Sequence, residues 1–259
     1  MTKSKHIRKL LKPSKEELSA MIESGLTPYQ IADQLGYGSG GWSNIYKYCR
    51  DYGIKFDFSV NHDLRAVDFT QRQKDIMYGS ILGDGYIRPG KAAYALSFTQ
   101  GEKQKDYLLW KLHEFDNYVV TKELTSRVTN FHGNAPVYSF STITHPEITA
   151  AYHVTHPNGQ KRITTEWLSK LSPLSIAVWY MDDGSLNKRY GTIVLCTNAF
   201  PLEDQLLLID FFEKAYGLHL KAEKRRNDQY ILRINASESK LFRSIVAPHV
   251  PSFMDYKLG

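Results

Sequence analysis

Cysteine is scarce in this chain: 259 residues hold two, Cys49 and Cys196, with no C-x-x-C pair and no histidine at ligand spacing from either. That argues against a disulfide scaffold and against a structural zinc site. No hydrophobic run reaches the length a membrane span needs. The basic opening MTKSKHIRKLLKPSKEE has no apolar stretch long enough for a signal peptide. Extreme charge is missing as well: 33 Lys and Arg against 27 Asp and Glu leave a formal excess of +6, which suits a polyanionic partner without demanding one. With 42% hydrophobic and 23% charged residues, disorder is not expected. The expectation is a soluble, intracellular, monomeric protein, cytoplasmic in a bacterial or phage host, with an organellar home left open.

What is present divides into two regions. Residues 1–56 read as a small helical domain. Ser14 and Glu17 have capping-box spacing, a helix follows through Leu18, Met21 and Ile22, and Gly25 stops it. A second helix has Thr27 as its cap, Pro28 at its first position and Gly36 at its end. A third run, residues 42–50, turns Ile45 and Cys49 inward and leaves Ser43, Asn44, Lys47 and Arg50 outward. The small Ala32 and a glycine-containing turn suit a helix-turn-helix whose polar, basic face reads DNA. A protein-interaction module is the alternative. Residues 57–69 lack periodicity and read as a linker.

From residue 70 the chain repeats itself. Thr70 and Gln73 cap a helix that ends at Gly83-Asp84-Gly85; Ser172, with Pro173 behind it, caps another that ends at Asp182-Asp183-Gly184. A strand (92–100 and 192–198), a helical run (102–118 and 202–216), two more strands (123–129 and 137–142; 218–224 and 229–234) and a closing helix (146–153 and 237–247) follow in each copy. The separation from Asp84 to Asp183 nearly equals that from Thr99 to Thr197. Two such halves, about 70–157 and 158–259, imply a pseudo-twofold axis within one chain. A DNA duplex has its own twofold relation between strands.

In the first capped helix Gly79 and Gly83 leave one face without side chains, so another backbone can approach. A partner helix packed there brings Asp84 and Asp183 together. Two carboxylates beside two negative helix ends repel, so a hard cation, magnesium or calcium, is expected between them. Lys161 and Lys257 lie at nearly equal offsets beyond the two acids, where they could stabilise charge on a reacting phosphate. Either Asp-Gly taken alone would be an ordinary turn; the matched pair points to catalysis. His145, His153 and His156 read as packing or surface residues.

At these residues the chain resembles the LAGLIDADG homing endonucleases, in the branch that carries two motifs in one chain. The motifs are Met77-Tyr78-Gly79-Ser80-Ile81-Leu82-Gly83-Asp84-Gly85 and Ile176-Ala177-Val178-Trp179-Tyr180-Met181-Asp182-Asp183-Gly184. Phe98-Thr99-Gln100, Lys161-Arg162-Ile163 and Tyr256-Lys257-Leu258 match the branch's flanks. The resemblance implies an α+β fold, a duplicated αββαββα unit over residues 70–259 with saddle-shaped sheets in the major groove. It also implies magnesium-dependent cleavage of both strands to leave short 3′ overhangs, as in intron homing. Asp84, Asp183, Lys161 and Lys257 would be catalytic, with Gly83 and Asp182 beside the acids at the metal. The family's third-position glycine is Val178 in the second motif, so the interface cannot be fully symmetric.

For DNA contact, alternation sets Leu124 and Val128 inward and Thr125, Arg127 and Thr129 outward. Tyr230, Leu232 and Ile234 would pack on helices, leaving Gln229 and Arg233 for bases. Thr99 and Asn198 join this set; in 192–198 the phase is open. Arg88, Lys91, Lys188, Arg189, Lys224, Arg225 and Arg226 lie at strand ends or turns, where phosphate contact is expected. The alternative function is a non-cleaving nucleic-acid binder on the same scaffold, an intron maturase or a transcription regulator. Retention of both acids favours the nuclease.

Overall fold

A computed structural model describes residues 12–24, 26, 28–37, 41–54, 67–90, 93–128 and 135–259, the side chains of Tyr29 and Trp42 excepted. The chain forms two compact units, Met1–His62 and Asp63–Gly259.

In the first unit three helices, α1 (Lys15–Glu23), α2 (Pro28–Gln34) and α3 (Trp42–Tyr52), surround a core of Leu18, Ile31, Ala32, Ile45 and Cys49. Ser14 accepts the Glu17 amide at 3.1 Å, half of the expected capping box. Gly53, at φ 63°, ends α3 in the left-handed conformation that glycine adopts without strain. Thr27 and Gly25 lie outside the described residues.

The second unit runs α4 (Gln71–Leu82), β1 (Tyr86–Pro89), β2 (Tyr94–Gly101), α5 (Lys105–Glu114), β3 (Thr125–Val128), β4 (Pro136–Ser141) and α6 (Pro146–Thr155). A short helix, α7 (Thr165–Leu168), leads to the second copy: α8 (Pro173–Asp183), β5 (Gly184–Asn187), β6 (Thr192–Leu195), α9 (Leu202–Tyr216), β7 (Leu220–Lys224), β8 (Tyr230–Ile234) and α10 (Ala236–Val246). Each half is αββαββα, and the two antiparallel sheets share one strand order, β1-β2-β4-β3 and β5-β6-β8-β7. The residue-level reading had three strands per half; the resemblance implied the fourth, and β1 and β5 supply it.

Both expected helix starts are full capping boxes, Thr70 with Gln73 and Ser172 with Ser175. Helix α8 is buried from Leu174 to Asp182 on all sides, as the apolar run of residues 176–181 requires. A methyl at Gly79 would lie 2.2 Å from the Ser175 carbonyl oxygen, so the α4 and α8 backbones touch where the side chain is missing. Val178 sits where the other motif has its glycine, yet the close contact survives because Gly79 and Ser175 make it.

On each sheet one face carries the core and the other is open. In the first, Leu96, Phe98 and Phe140 are buried, while Thr99, Thr125 and Arg127 are exposed. The register pairs Thr99 with Ser139, which pairs in turn with Thr125. Val128 departs from expectation: it is 66% exposed, because β3 is an edge strand whose four residues lack cover. In β8 Leu232 and Ile234 are buried as expected. Ile231 is buried too, beneath a cleft on the open face, and Tyr230 is half-buried. Residues 67–69, assigned to the linker, belong to this unit: Phe69 stacks on His145 and Tyr118 donates to the Val67 and Asp68 carbonyls. His145 also caps α6, and His156 stacks on Tyr152. Among the described residues no helix is long and apolar enough to cross a membrane.

Candidate active site

The contact of α4 with α8 carries both motif acids to one place. Gly83 abuts Asp182, since a Cβ there would meet the Asp182 Cβ at 2.5 Å. The Asp84 amide approaches the Asp182 carboxylate at 3.4 Å. Asp84 is exposed and Asp183 half-buried. The Asp183 pKa rises to about 7, first because burial strips its hydration, then because Asp84 and Asp182 repel a third charge. A carboxylate pushed upward by neighbouring carboxylates is what a site of like charges produces.

The two lysines close the site from either side. Lys257 Nζ donates to the Gly184 carbonyl at 2.7 Å, and the Lys257 carbonyl accepts from the Tyr180 hydroxyl at 2.5 Å. Lys161 Nζ reaches the Leu82 carbonyl at 3.5 Å. Its neighbours are anchored: Asp204, buried at the start of α9, takes hydrogen bonds from the Arg162 guanidinium and the Ile163 amide. Burial lowers both lysine pKa values, while Asp84, Asp182 and Asp183 act to raise them.

Two further groups hold the acids, and sequence reasoning did not single out either. Gln100 Nε2 donates to Asp84 Oδ2 at 2.9 Å. Lys111, 1% exposed on α5, pairs with both Asp182 oxygens at 2.8 and 3.0 Å, and Tyr107 from the same helix donates to the Val178 carbonyl at 3.2 Å. The signal for Gln100 was its phase, a polar residue in line with the buried Leu96 and Phe98 of an alternating strand. For Lys111 it was a charge one helical turn beyond Tyr107 on an apolar face. Because Asp182 is committed to Lys111, what it can offer a metal is its main-chain oxygen; Gly83 likewise has only a carbonyl.

The proposed DNA-contacting residues fall into groups. Arg88, Thr99, Thr125 and Arg127 are exposed on the first sheet. Lys188 and Arg189 are exposed in the β5–β6 turn, the latter over Tyr190. Asn198, Arg225, Arg226 and Gln229 line one cleft of about 460 Å³ on the second sheet, together with Val194, Cys196 and Ile231. Lys224 is drawn to Asp228 at 2.6 Å, and Arg233 is half-buried against Glu223. In the first unit Ser43, Asn44 and Lys47 are exposed on α3. Lys91 and Thr129 lie outside the described residues.

Comparison with known proteins agrees with this architecture. The cytochrome b mRNA maturase bI2 of Debaryomyces hansenii is 29% identical over 194 residues, covering 71% of this chain and 72% of that protein. The protein RecA of Mycolicibacterium flavescens is 26% identical over 205 residues, 73% of this chain; the chain spans about half of RecA, 47%. The solved structure of the homing endonuclease I-WcaI bound to its DNA recognition sequence superposes with a TM-score of 0.69 at 25% identity, covering 76% of this chain and 91% of that one. The model of the LAGLIDADG DNA endonuclease family matches residues 74–242, which include both motifs and both sheets. The chain belongs to the LAGLIDADG DNA endonuclease family.

Proposed function

We propose that the protein is a sequence-specific double-strand DNA endonuclease, acting as a monomer, that hydrolyses phosphodiester bonds with divalent cations, magnesium foremost. The observation that carries this reading is the convergence of Asp84 and Asp183, from equivalent helix ends, on one site where their charges repel. Among the described residues no group of three or more His, Cys, Asp or Glu gathers at metal-holding spacing. Two carboxylates with main-chain oxygens beside them suit a small, oxygen-seeking dication that draws its other ligands from water and phosphate. When bound, such an ion would stabilise charge on the phosphate and acidify a water molecule.

The side chains have distinct tasks in this scheme. Asp84 and Asp183 would hold the ion, and Gln100 donates to the Asp84 carboxylate and keeps it in place. Lys161 and Lys257 would face the negative charge that grows on the phosphate oxygens as water, giving a proton to solvent, adds to phosphorus on one side and the sugar oxygen departs on the other, taking up a proton. Their partial burial strengthens that interaction by excluding screening water. Asp84 with Lys161 and Asp183 with Lys257, set at nearly equal offsets along the chain, would give one reaction centre per strand.

The open sheet faces would lie along the major groove, with Thr99, Thr125, Asn198, Gln229 and Arg233 toward bases. Arg88, Arg127, Lys188, Arg189 and the Lys224–Arg226 turn would meet phosphates. The first unit would bind flanking DNA as a helix-turn-helix through Ser43, Asn44 and Lys47.

A second reading, a non-cleaving nucleic-acid binder on the same scaffold, is favoured by the match to the Debaryomyces maturase along most of both chains. Incubating the full chain with a randomised duplex pool, with magnesium or with EDTA, and sequencing the ends separates the two. The endonuclease reading expects paired cuts at one site with magnesium alone. Selective binding with no cuts in any divalent ion would favour the second.

A further inference from the structure

A carboxylate is out of place on a surface that meets DNA, and Glu223 is one. It lies on β7 opposite Ile231, two pairs along from Lys221 opposite Arg233 and so on the same face of the sheet. Leu232 and Ile234 flank Arg233 and are buried against the helices, so Arg233 stands on the open face. Glu223 Oε2 accepts from Arg233 Nε, and its Oε1 pairs with Arg225 Nη1 at 3.2 Å. Arg233 Nη1 also reaches Thr192 Oγ1 at 3.4 Å, so the guanidinium is held at two of its nitrogens. Arg225 lines the adjoining cleft with Asn198 and Gln229.

A lone acid here would repel phosphates and weaken every DNA complex equally. Glu223 instead fixes an arginine that would otherwise wander among rotamers and pair with any phosphate within reach. Held at Nε and Nη1, the guanidinium keeps further N–H groups at its Nη end, whose fork matches guanine O6 and N7 in the major groove.

We propose that Arg233 reads a guanine and that Glu223 is the specificity-determining residue that aims it, trading general affinity for discrimination at one base pair. The inference rests on the endonuclease reading above. Thr192 is the second anchor of the same guanidinium.

The test selects bound duplexes from a randomised pool in EDTA, so that binding is read without cutting. It uses the full chain as wild type and as Glu223→Gln, Arg233→Gln and Thr192→Val, with thermal melts confirming that each folds. Arg233→Gln should abolish a guanine preference at one position. Glu223→Gln should weaken that same preference by roughly tenfold while binding an unrelated duplex more tightly than wild type. Thr192→Val should weaken it less, with unrelated binding unchanged; should Glu223→Gln fail to fold, Thr192→Val alone decides. Variants that disturb different base pairs, a Thr192→Val profile equal to wild type, or a Glu223→Gln that loses specific and unrelated DNA alike would overturn the proposal. A wild-type chain that selects no sequence is a different failure: it overturns the endonuclease reading and removes the basis of this one.

Discussion

At the scale of single residues, Asp183 carries the electrostatic strain of the site. Its folded pKa of about 7 lies above the roughly 3.9 of an unfolded aspartate. Between those values the folded state binds the proton more tightly, so stability falls as pH rises through that window, and the loss is complete above about pH 7. Asp183→Asn should therefore melt above wild type near pH 8, by up to a few kcal/mol, and close to it near pH 4. Magnesium should raise the wild-type melting temperature more near pH 8 than near pH 5.5, and leave Asp183→Asn almost unmoved; an equal rise in both proteins would contradict a cation at this carboxylate. Lys111 makes the opposite case. Lys111→Met strands a buried Asp182 charge, and denaturant melts should show a loss of about 3–5 kcal/mol, partly restored by adding Asp182→Asn. The two acids were legible in sequence because capped helices ending in Asp-Gly leave a local pattern. Gln100 and Lys111 were harder, since the groups they serve are distant in the chain and only a fold brings them together.

At the scale of elements, the interface of α4 with α8 decides whether the acids meet. The Gly79–Ser175 contact is backbone on backbone, and a rigid methyl has no flexible neighbour to displace. Gly79→Ala should part the helices and lower unfolding free energy by about 1–3 kcal/mol or more, read by urea titration; wild-type stability would contradict backbone contact between the helices at this position. Long elements were readable: α9 spans the residues its periodicity marked, and both capping boxes are present. The four-residue strands β1 and β5 were not, for they follow directly on the Asp-Gly ends and are too short to display alternation. The four-residue α7 escaped for the same reason. Val128 shows a different limit: parity identifies which residues share a face, but burial depends on what lies over that face.

At the scale of the whole molecule, duplication was visible because helix, strand and turn signals recur in the same order, and the matching strand orders of the two sheets follow from it. The boundary before it was less visible, since Val67, Asp68 and Phe69 carry no periodic signal, yet Phe69 enters the larger unit's core and the Val67 and Asp68 carbonyls accept from its Tyr118. Each unit has its own hydrophobic cluster, so removing residues 1–62 should leave cutting intact while weakening binding and shortening the footprint on a long duplex. An unchanged footprint would deny the first unit a role in DNA binding. The central claim is that one aspartate from each half builds a single divalent-dependent site. Its most direct measurement is cleavage of a selected duplex by wild type, Asp84→Asn and Asp183→Asn at matched DNA occupancy with magnesium. The account predicts that both variants bind the duplex while double-strand cleavage falls by on the order of 10²–10³ or more; a variant that still cuts both strands at the wild-type rate would contradict it.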